Sequence, residues 1–309
     1  MRDEKKCTLV MYHYVRDMHD TPYPDIKGLL IDKFKGQLNY ISKNYKVISL
    51  RDYAQYLVGK TDIPRDACVL TFDDGLKDHF TNVVPLLKDM GVTATFFPTT
   101  QCIDEHKVQP VQKVHFLLDR IGAEGLAREL NDAMMRMFPG IADNYVIDGK
   151  EKKEIKYRWD DSLTANLKYT VARIPTKEKS QVLSAIFSEH FRDEQAFCKE
   201  LYLDWEDMRA MIKAGMDFGS HSHTHPALAE LSEKEQEKEI SISKALLEKN
   251  LKIPIELFCY PYGNFNSSTL IVLKKLGFKA AVTTDLGVNA GKVEPFRIRR
   301  LDTNDLPFE

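Results

Sequence analysis

Two adjacent acids, Asp73 and Asp74, end the apolar run VLTF, and Gly75 follows at once. Asp-Gly is a common turn dipeptide, so a plain turn explains the three residues. A site explains them as well. Successive side chains at a strand end point to opposite sides, so neighbouring acids can do different jobs in one pocket. The stretch DFGSHSHTHP, Asp217 to Pro226, holds three of the chain's nine histidines, at 221, 223 and 225. On an extended strand His221 and His225 would stand about 13 Å apart, at about 3.3 Å per residue, too far for one ion. In a helical turn the same spacing brings the Cβ atoms to about 5–6 Å. The pair can chelate only if the chain curls after the strand. Pro226 disfavours helix at His225, so the curl should end there. Two imidazoles and one carboxylate give three ligands and leave a fourth position for water, the pattern of catalytic zinc. The other acid then stays free to take a proton from that water.

Two weaker signals accompany these. In FCYPYGNF, Phe258 to Phe265, a strand runs into Pro261, Tyr262 and Gly263. This can be an ordinary turn, or a rigid cleft wall whose Tyr262 N–H donates to an oxyanion. In MYHYV, His13 ends the first apolar run. The C-terminal ends of parallel strands build active sites in barrel folds, which gives a lone histidine there a possible role.

The elements that must position these residues alternate. Strand patterns at Thr8–Tyr12, Cys68–Phe72, Val92–Phe97, Met216–Gly219, Glu256–Tyr260 and Ala280–Thr284 are separated by helical patterns. Ser49 is placed to cap one helix, and Ser232 with Glu235 forms a capping box for another. The spacing predicts one further helix from His79 to Met90. The fold class is α/β, with a parallel sheet open or closed into a barrel. From Val111 to Phe197 the pattern is mainly helical. The predicted division is therefore a barrel from residues 1–102 and 201–309, with a helical insertion at 103–200. Within it, DGKEKKEIKYRWDD reads as a polar, exposed stretch.

The 309 residues carry 44 basic and 46 acidic side chains, so no basic excess points to nucleic acid. The apolar segment near the N-terminus is too short for a signal peptide or a membrane span, which predicts a cytoplasmic protein. Five scattered cysteines without a C-x-x-C predict reduced thiols.

Taken together, TFDDG (Thr71 to Gly75), HSHTH (His221 to His225) and YPYG (Tyr260 to Gly263) resemble the motifs of the polysaccharide deacetylases of the NodB-homology type, carbohydrate esterase family 4. The resemblance covers about residues 5–102 and 201–309. It implies a distorted (β/α)7-type barrel. It implies Asp73 as general base, Asp74, His221 and His225 as metal ligands, and Tyr262, beside Pro261, as the oxyanion donor. His223 falls at the variable position of its motif, off the ion.

Two departures stand out. The third motif usually begins with an Arg that contacts the base, and here that position is Cys259; Arg299 or Arg300 in RIRRLD is the replacement on offer. No histidine follows His225, so the usual late general acid is missing. Members resembling the circularly rearranged poly-N-acetylglucosamine deacetylases take that acid from an early YH, which makes His13 the candidate. Trp205 in LDWEDM is assigned to the pocket wall, with helix packing as the alternative.

The implied reaction is hydrolysis of an N-acetyl group on an amino sugar or glycan by a divalent ion. Zinc is the first choice, and iron, cobalt or nickel also suit two histidines and one carboxylate. A cytoplasmic enzyme would meet nucleotide-linked or lipid-linked sugars. Rival readings are an amidase or esterase on a non-sugar acyl compound, and a catalytically weak glycan-binding barrel. The insertion is open to roles in specificity or in a homo-oligomer.

Overall fold

The computed structural model describes residues 4–18, 21–149 and 160–308. Most of the polar stretch expected between Asp148 and Asp161 lies outside the described residues.

Nine strands are present among the described residues: β1 (Lys6–Tyr12), β2 (Lys46–Val47), β3 (Asp66–Asp74), β4 (Thr95–Pro98), β5 (Asp217–Phe218), β6 (Leu257–Cys259), β7 (Ala280–Leu286), β8 (Asn289–Ala290) and β9 (Ile298–Asp302). Seven lie side by side in the order β5-β4-β3-β1-β9-β7-β6, every pairing parallel. The two edges meet. Ser220, just past β5, donates its N–H to Leu257 O at 2.9 Å and accepts from Cys259 N at 2.9 Å. The sheet is therefore a nearly closed, seven-stranded barrel with helices around it, the fold class expected. At the seam a Cβ on Gly219 would stand 2.3 Å from Phe97 Cε1 and 2.7 Å from Leu257 O. Only glycine lets the strands come this close.

The strands are apolar runs because both faces are covered. Their side chains sort alternately into two cores. Val10, Tyr12, Leu70, Phe72, Phe96, Phe218 and Phe258 pack among helix residues. Leu9, Val69, Phe97, Leu257, Val282 and Ile298 fall in the second cluster. Counting on by twos from the second set gives Asp73, Cys259 and Arg300. Because β3, β6 and β9 do not all neighbour one another, side chains from them can meet only across the barrel interior. The fold thus aims these three groups at one point from the alternation alone.

The helix signals hold where they were read. Ser49 accepts from Asp52 N, and both halves of the Ser232–Glu235 capping box are formed. Two elements differ. Residues His79–Val83 form a π-helical turn before the short helix Val84–Asp89, in place of one continuous helix. The chain also makes a strand, β9, within RIRRLD, where no strand pattern is assigned from the sequence.

By contact density the described residues divide into two compact units. The barrel unit takes those within Met1–Asp17, Lys27–His106 and Cys198–Glu309. The second unit takes Met18–Ile26 and Lys107–Phe197. Helices Pro110–Met137, Ser162–Arg173 and Thr176–His190 build it, the first broken at Gly122, where φ is 70°. An aromatic cluster of Tyr23, Phe116, Phe187, Phe191 and Phe197 fills its interior. All five cysteines are buried, and none is in a disulfide. Among the described residues no helix is long and apolar enough to cross a membrane.

Candidate active site

Asp73 and Asp74 close β3, and both are buried, at 2% and 5% exposure. Asp74 has φ 74° and Gly75 φ 70°, so the chain turns sharply at the second acid. A Cβ on Gly75 would stand 2.7 Å from Pro98 Cβ, which fixes glycine there. The turn separates the two carboxylates.

Asp73 meets Arg300. Nη1 donates to Oδ1 at 2.9 Å and Nη2 to Oδ2 at 2.8 Å, a bidentate pair. Arg300 is 1% exposed, and its remaining donors reach Thr283 O, Thr71 Oγ1 and Cys259 Sγ. The Cys259 thiol in turn donates to Asp73 Oδ2 at 3.4 Å, and burial pushes its pKa well up. Burial alone would raise the pKa of Asp73. The charge and hydrogen bonds of Arg300 outweigh it and hold the carboxyl well below the usual range. The arginine absent from position 259 is therefore present in space, supplied by β9.

Asp74 faces the histidines. Its Oδ1 lies 3.7 Å from His221 Nε2 and 3.7 Å from His225 Nε2, and the two Nε2 atoms are 3.1 Å apart. The curl that the spacing demanded is formed. Ser222 and His225 have φ of 65° and 59°, and Ser222 Oγ accepts from His225 N at 3.1 Å. His221 Nδ1 donates to Cys259 O at 2.8 Å, which turns Nε2 inward. Burial lowers the pKa of His221 against the pull of Asp73 and Asp74, and lowers that of His225 further. Both rings thus stay neutral, the form that ligates. His223 points elsewhere, to Thr100 Oγ1 at 2.9 Å and Glu105 Oε1 at 3.2 Å. The Glu239 carboxylate pins the loop by accepting from the N–H groups of His223 and Thr224 and from Thr224 Oγ1.

Among the described residues, two groups of side chains have the spacing to hold an ion: Asp73, His221 and Cys259, and Asp74, His221 and His225. The first already contains the Arg300 guanidinium, within 2.8 Å of Asp73 and 3.2 Å of Cys259. A second cation there would face that charge directly. The other group fits. A triangle with edges of 3.1, 3.7 and 3.7 Å has a point about 2.0 Å from each corner, the ligand distance of zinc.

His13, beyond the end of β1, sits 41% exposed with Nε2 3.9 Å from Asp73 Oδ2. Pro261 is buried, and Tyr262, at φ 58°, lays its ring edge-on against His225, with centroids 4.6 Å apart. Of six non-glycine residues with positive φ among the described residues, four (Asp74, Ser222, His225 and Tyr262) lie here, as strained backbone does at functional sites. Trp205 opens the helix Trp205–Lys213 and packs half-buried against the main core. The structure brings together Asp73, Asp74, His221, His225, His13, Arg300 and Tyr262. The sequence reading missed Asp78, His79, Asn82 and Glu239, which hold the loops.

Residues 60–136 and 149–281 match the family model described as polysaccharide deacetylase. The chain belongs to that family. Among curated proteins it is 22% identical over 262 residues to the poly-beta-1,6-N-acetyl-D-glucosamine N-deacetylase of Escherichia coli, covering 84% of this chain and 31% of that protein. It is also 31% identical over 86 residues to YxkH of Bacillus subtilis, covering 28% of this chain and 31% of that protein. The chain thus spans about a third of the length of the curated relatives it matches. Among solved structures it is similar in fold to the Streptococcus pyogenes deacetylase PplD in complex with acetate. That TM-score is 0.61 at 19% identity, over 97% of this chain and 92% of that one. IcaB from Ammonifex degensii gives 0.58 at 17%, over 96% and 91%.

Proposed function

We propose that the protein is a metal-dependent hydrolase that removes N-acetyl groups from an amino sugar or glycan. The observation that carries this is the division of labour between adjacent acids. Asp74 faces two neutral imidazoles, while Asp73 is turned away and held ionised by Arg300. Asp74, His221 and His225 would hold a divalent ion, zinc first by ligand type, with iron, cobalt or nickel compatible. The bound ion supplies Lewis-acid polarisation of the acetyl carbonyl and makes an attacking water more acidic.

Asp73 takes the proton of that water. A carboxylate has about four acceptor sites. Arg300 occupies two and Cys259 one, which leaves room for the proton. His13 then gives a proton to the leaving nitrogen as the C–N bond breaks, releasing acetate and a free amine. The Tyr262 N–H, in the turn beside His225, donates to the developing oxyanion. Pro261 stiffens that turn, and Trp205 is assigned to the approach of the sugar. Every residue in these roles comes from segments 1–102 and 201–309, so we read 103–200 as an insertion bearing on specificity or self-association.

The test is acetate release from N-acetylated monosaccharides, nucleotide sugars and oligosaccharides, with the protein loaded with zinc or cobalt and with the metal stripped. Release from an N-acetylated sugar by the loaded protein alone supports the reading. Hydrolysis only of non-sugar amides or esters, or equal rates in the stripped protein, overturns it.

A further inference from the structure

The acid assigned above stands on a loop, and something must hold it within reach of the leaving group. Residues 13–16 are held from two sides: Tyr14 O and Arg16 N–H pair with the Leu29 backbone, each at 3.0 Å, and the π-helical turn that follows the paired acids, with Asp78 before it, takes the His13 end and the Val15 and Arg16 groups. His79 donates Nε2–H to the His13 carbonyl at 2.9 Å. Asn82 donates Nδ2 to the Val15 carbonyl at 2.8 Å. Asp78 takes the Arg16 guanidinium bidentately, at 2.7 and 2.8 Å.

The imidazole of His79 is costly where it sits. It is fully buried against the rings of Phe72 and Phe96. Its other nitrogen, Nδ1, meets no hydrogen-bond partner among the described residues. A carbonyl accepts only from a protonated nitrogen, so Nε2 carries the hydrogen and Nδ1 keeps a bare lone pair in the core. An unsatisfied buried acceptor is destabilising, and an apolar side chain of similar size would remove that cost. Packing therefore does not explain a histidine here, whereas the bond to His13 does. A π-turn inside a helix is itself rare and concentrates at functional sites.

We infer that His79 is a positioning residue for catalysis: its Nε2–H, presented by the π-turn, fixes the backbone of His13 and so the reach of that side chain toward the scissile nitrogen. The inference rests on the reading of His13 as general acid. It adds the element that makes a half-exposed loop histidine precise enough to act.

The test compares His79→Leu, which removes the donor and the unpaired nitrogen, with His79→Gln, whose Nε2 can reach the same carbonyl. Metal content and thermal midpoint of both are measured first, to establish folded, loaded protein. For N-acetyl substrates His79→Leu should lower kcat ~10- to 100-fold with KM little changed, the scale of a small misplacement of a catalytic group. His79→Gln should recover to within ~3-fold. With an aryl acetate, whose leaving group departs without protonation, His79→Leu should match the wild type. In a His13→Ala background it should add nothing. Equal losses on amide and aryl ester, or no recovery with Gln, would overturn the positioning role. If His13→Ala itself keeps full amide turnover, the reading of the acid fails instead, and the two failures are thereby told apart.

Discussion

Asp73 is the residue on which charge is most finely arranged, because burial and Arg300 pull its proton affinity in opposite directions. Removing the guanidinium leaves a buried carboxylate uncompensated. Arg300→Met should cost about 3–5 kcal/mol in denaturant unfolding near neutral pH, or force Asp73 to hold a proton. The acid limb of the pH–rate profile should move to higher pH. Arg300→Lys should not restore it, since an ammonium cannot make the two-pronged contact. A wild-type profile in Arg300→Met would show that the pair does not govern the base. His79 gives a second pH signature. Burial brings its pKa down to about 3, against about 6.5 in the unfolded chain. A depressed histidine pKa means that the unfolded state binds the extra proton. The fold therefore loses stability as pH falls below about 6.5, by at most about 1.4 kcal/mol per pH unit. His79→Leu should lose less over that range, which unfolding midpoints at pH 7 and pH 5 would measure. The paired acids and the histidine cluster were legible because their types and spacing are improbable without a job. Arg300 was named only as one of two candidates. Its neighbour Arg299 is exposed while Arg300 is buried, and nothing in the dipeptide itself distinguishes them.

Among the elements, the strand β9 and the π-turn were not read. β9 runs IRRLD, and a charged residue on an inward position argues against a buried strand until its partner is known. That partner, Asp73, lies 227 positions away in the chain, beyond any local pattern. The π-turn is likewise set by tertiary contacts of Asp78, His79 and Asn82, while the local spacing favours plain helix. The capped helices were legible because a cap is written within four residues. The seam between β5 and β6 gives a prediction of its own. Gly219→Ala places a methyl against Phe97 and the Leu257 carbonyl, so the strands must part. About 1–3 kcal/mol of stability should be lost. Metal affinity should fall too, because His221 follows two residues later. A variant as stable as the wild type in urea would show that the seam can relax.

At the scale of the molecule, the barrel order places the first strand between β3 and the last, β9. The family model spans β3 to the start of β7, from residue 60 to 281, and leaves β1 and β9 outside its match. Arg300 lies on β9, and His13 directly follows β1. Each approaches Asp73, His13 to 3.9 Å and Arg300 to 2.8 Å, and β1 and β9 pair with each other. The β-α-β rhythm made a parallel sheet legible, and the family resemblance implied its closure into a barrel. The strand order did not follow from it, since order depends on which edges meet.

The central claim is that Asp73 and Asp74, one residue apart, divide base and ligand between them. The most direct measurement is metal content per chain, taken with acetate release, for Asp73→Asn and Asp74→Asn purified side by side. The account predicts that Asp73→Asn keeps one ion and loses at least ~100-fold in turnover. It predicts that Asp74→Asn loses the ion under the same dialysis. An Asp74→Asn protein that retains its ion as well as the wild type, or an Asp73→Asn protein that releases acetate at the native rate, would contradict it.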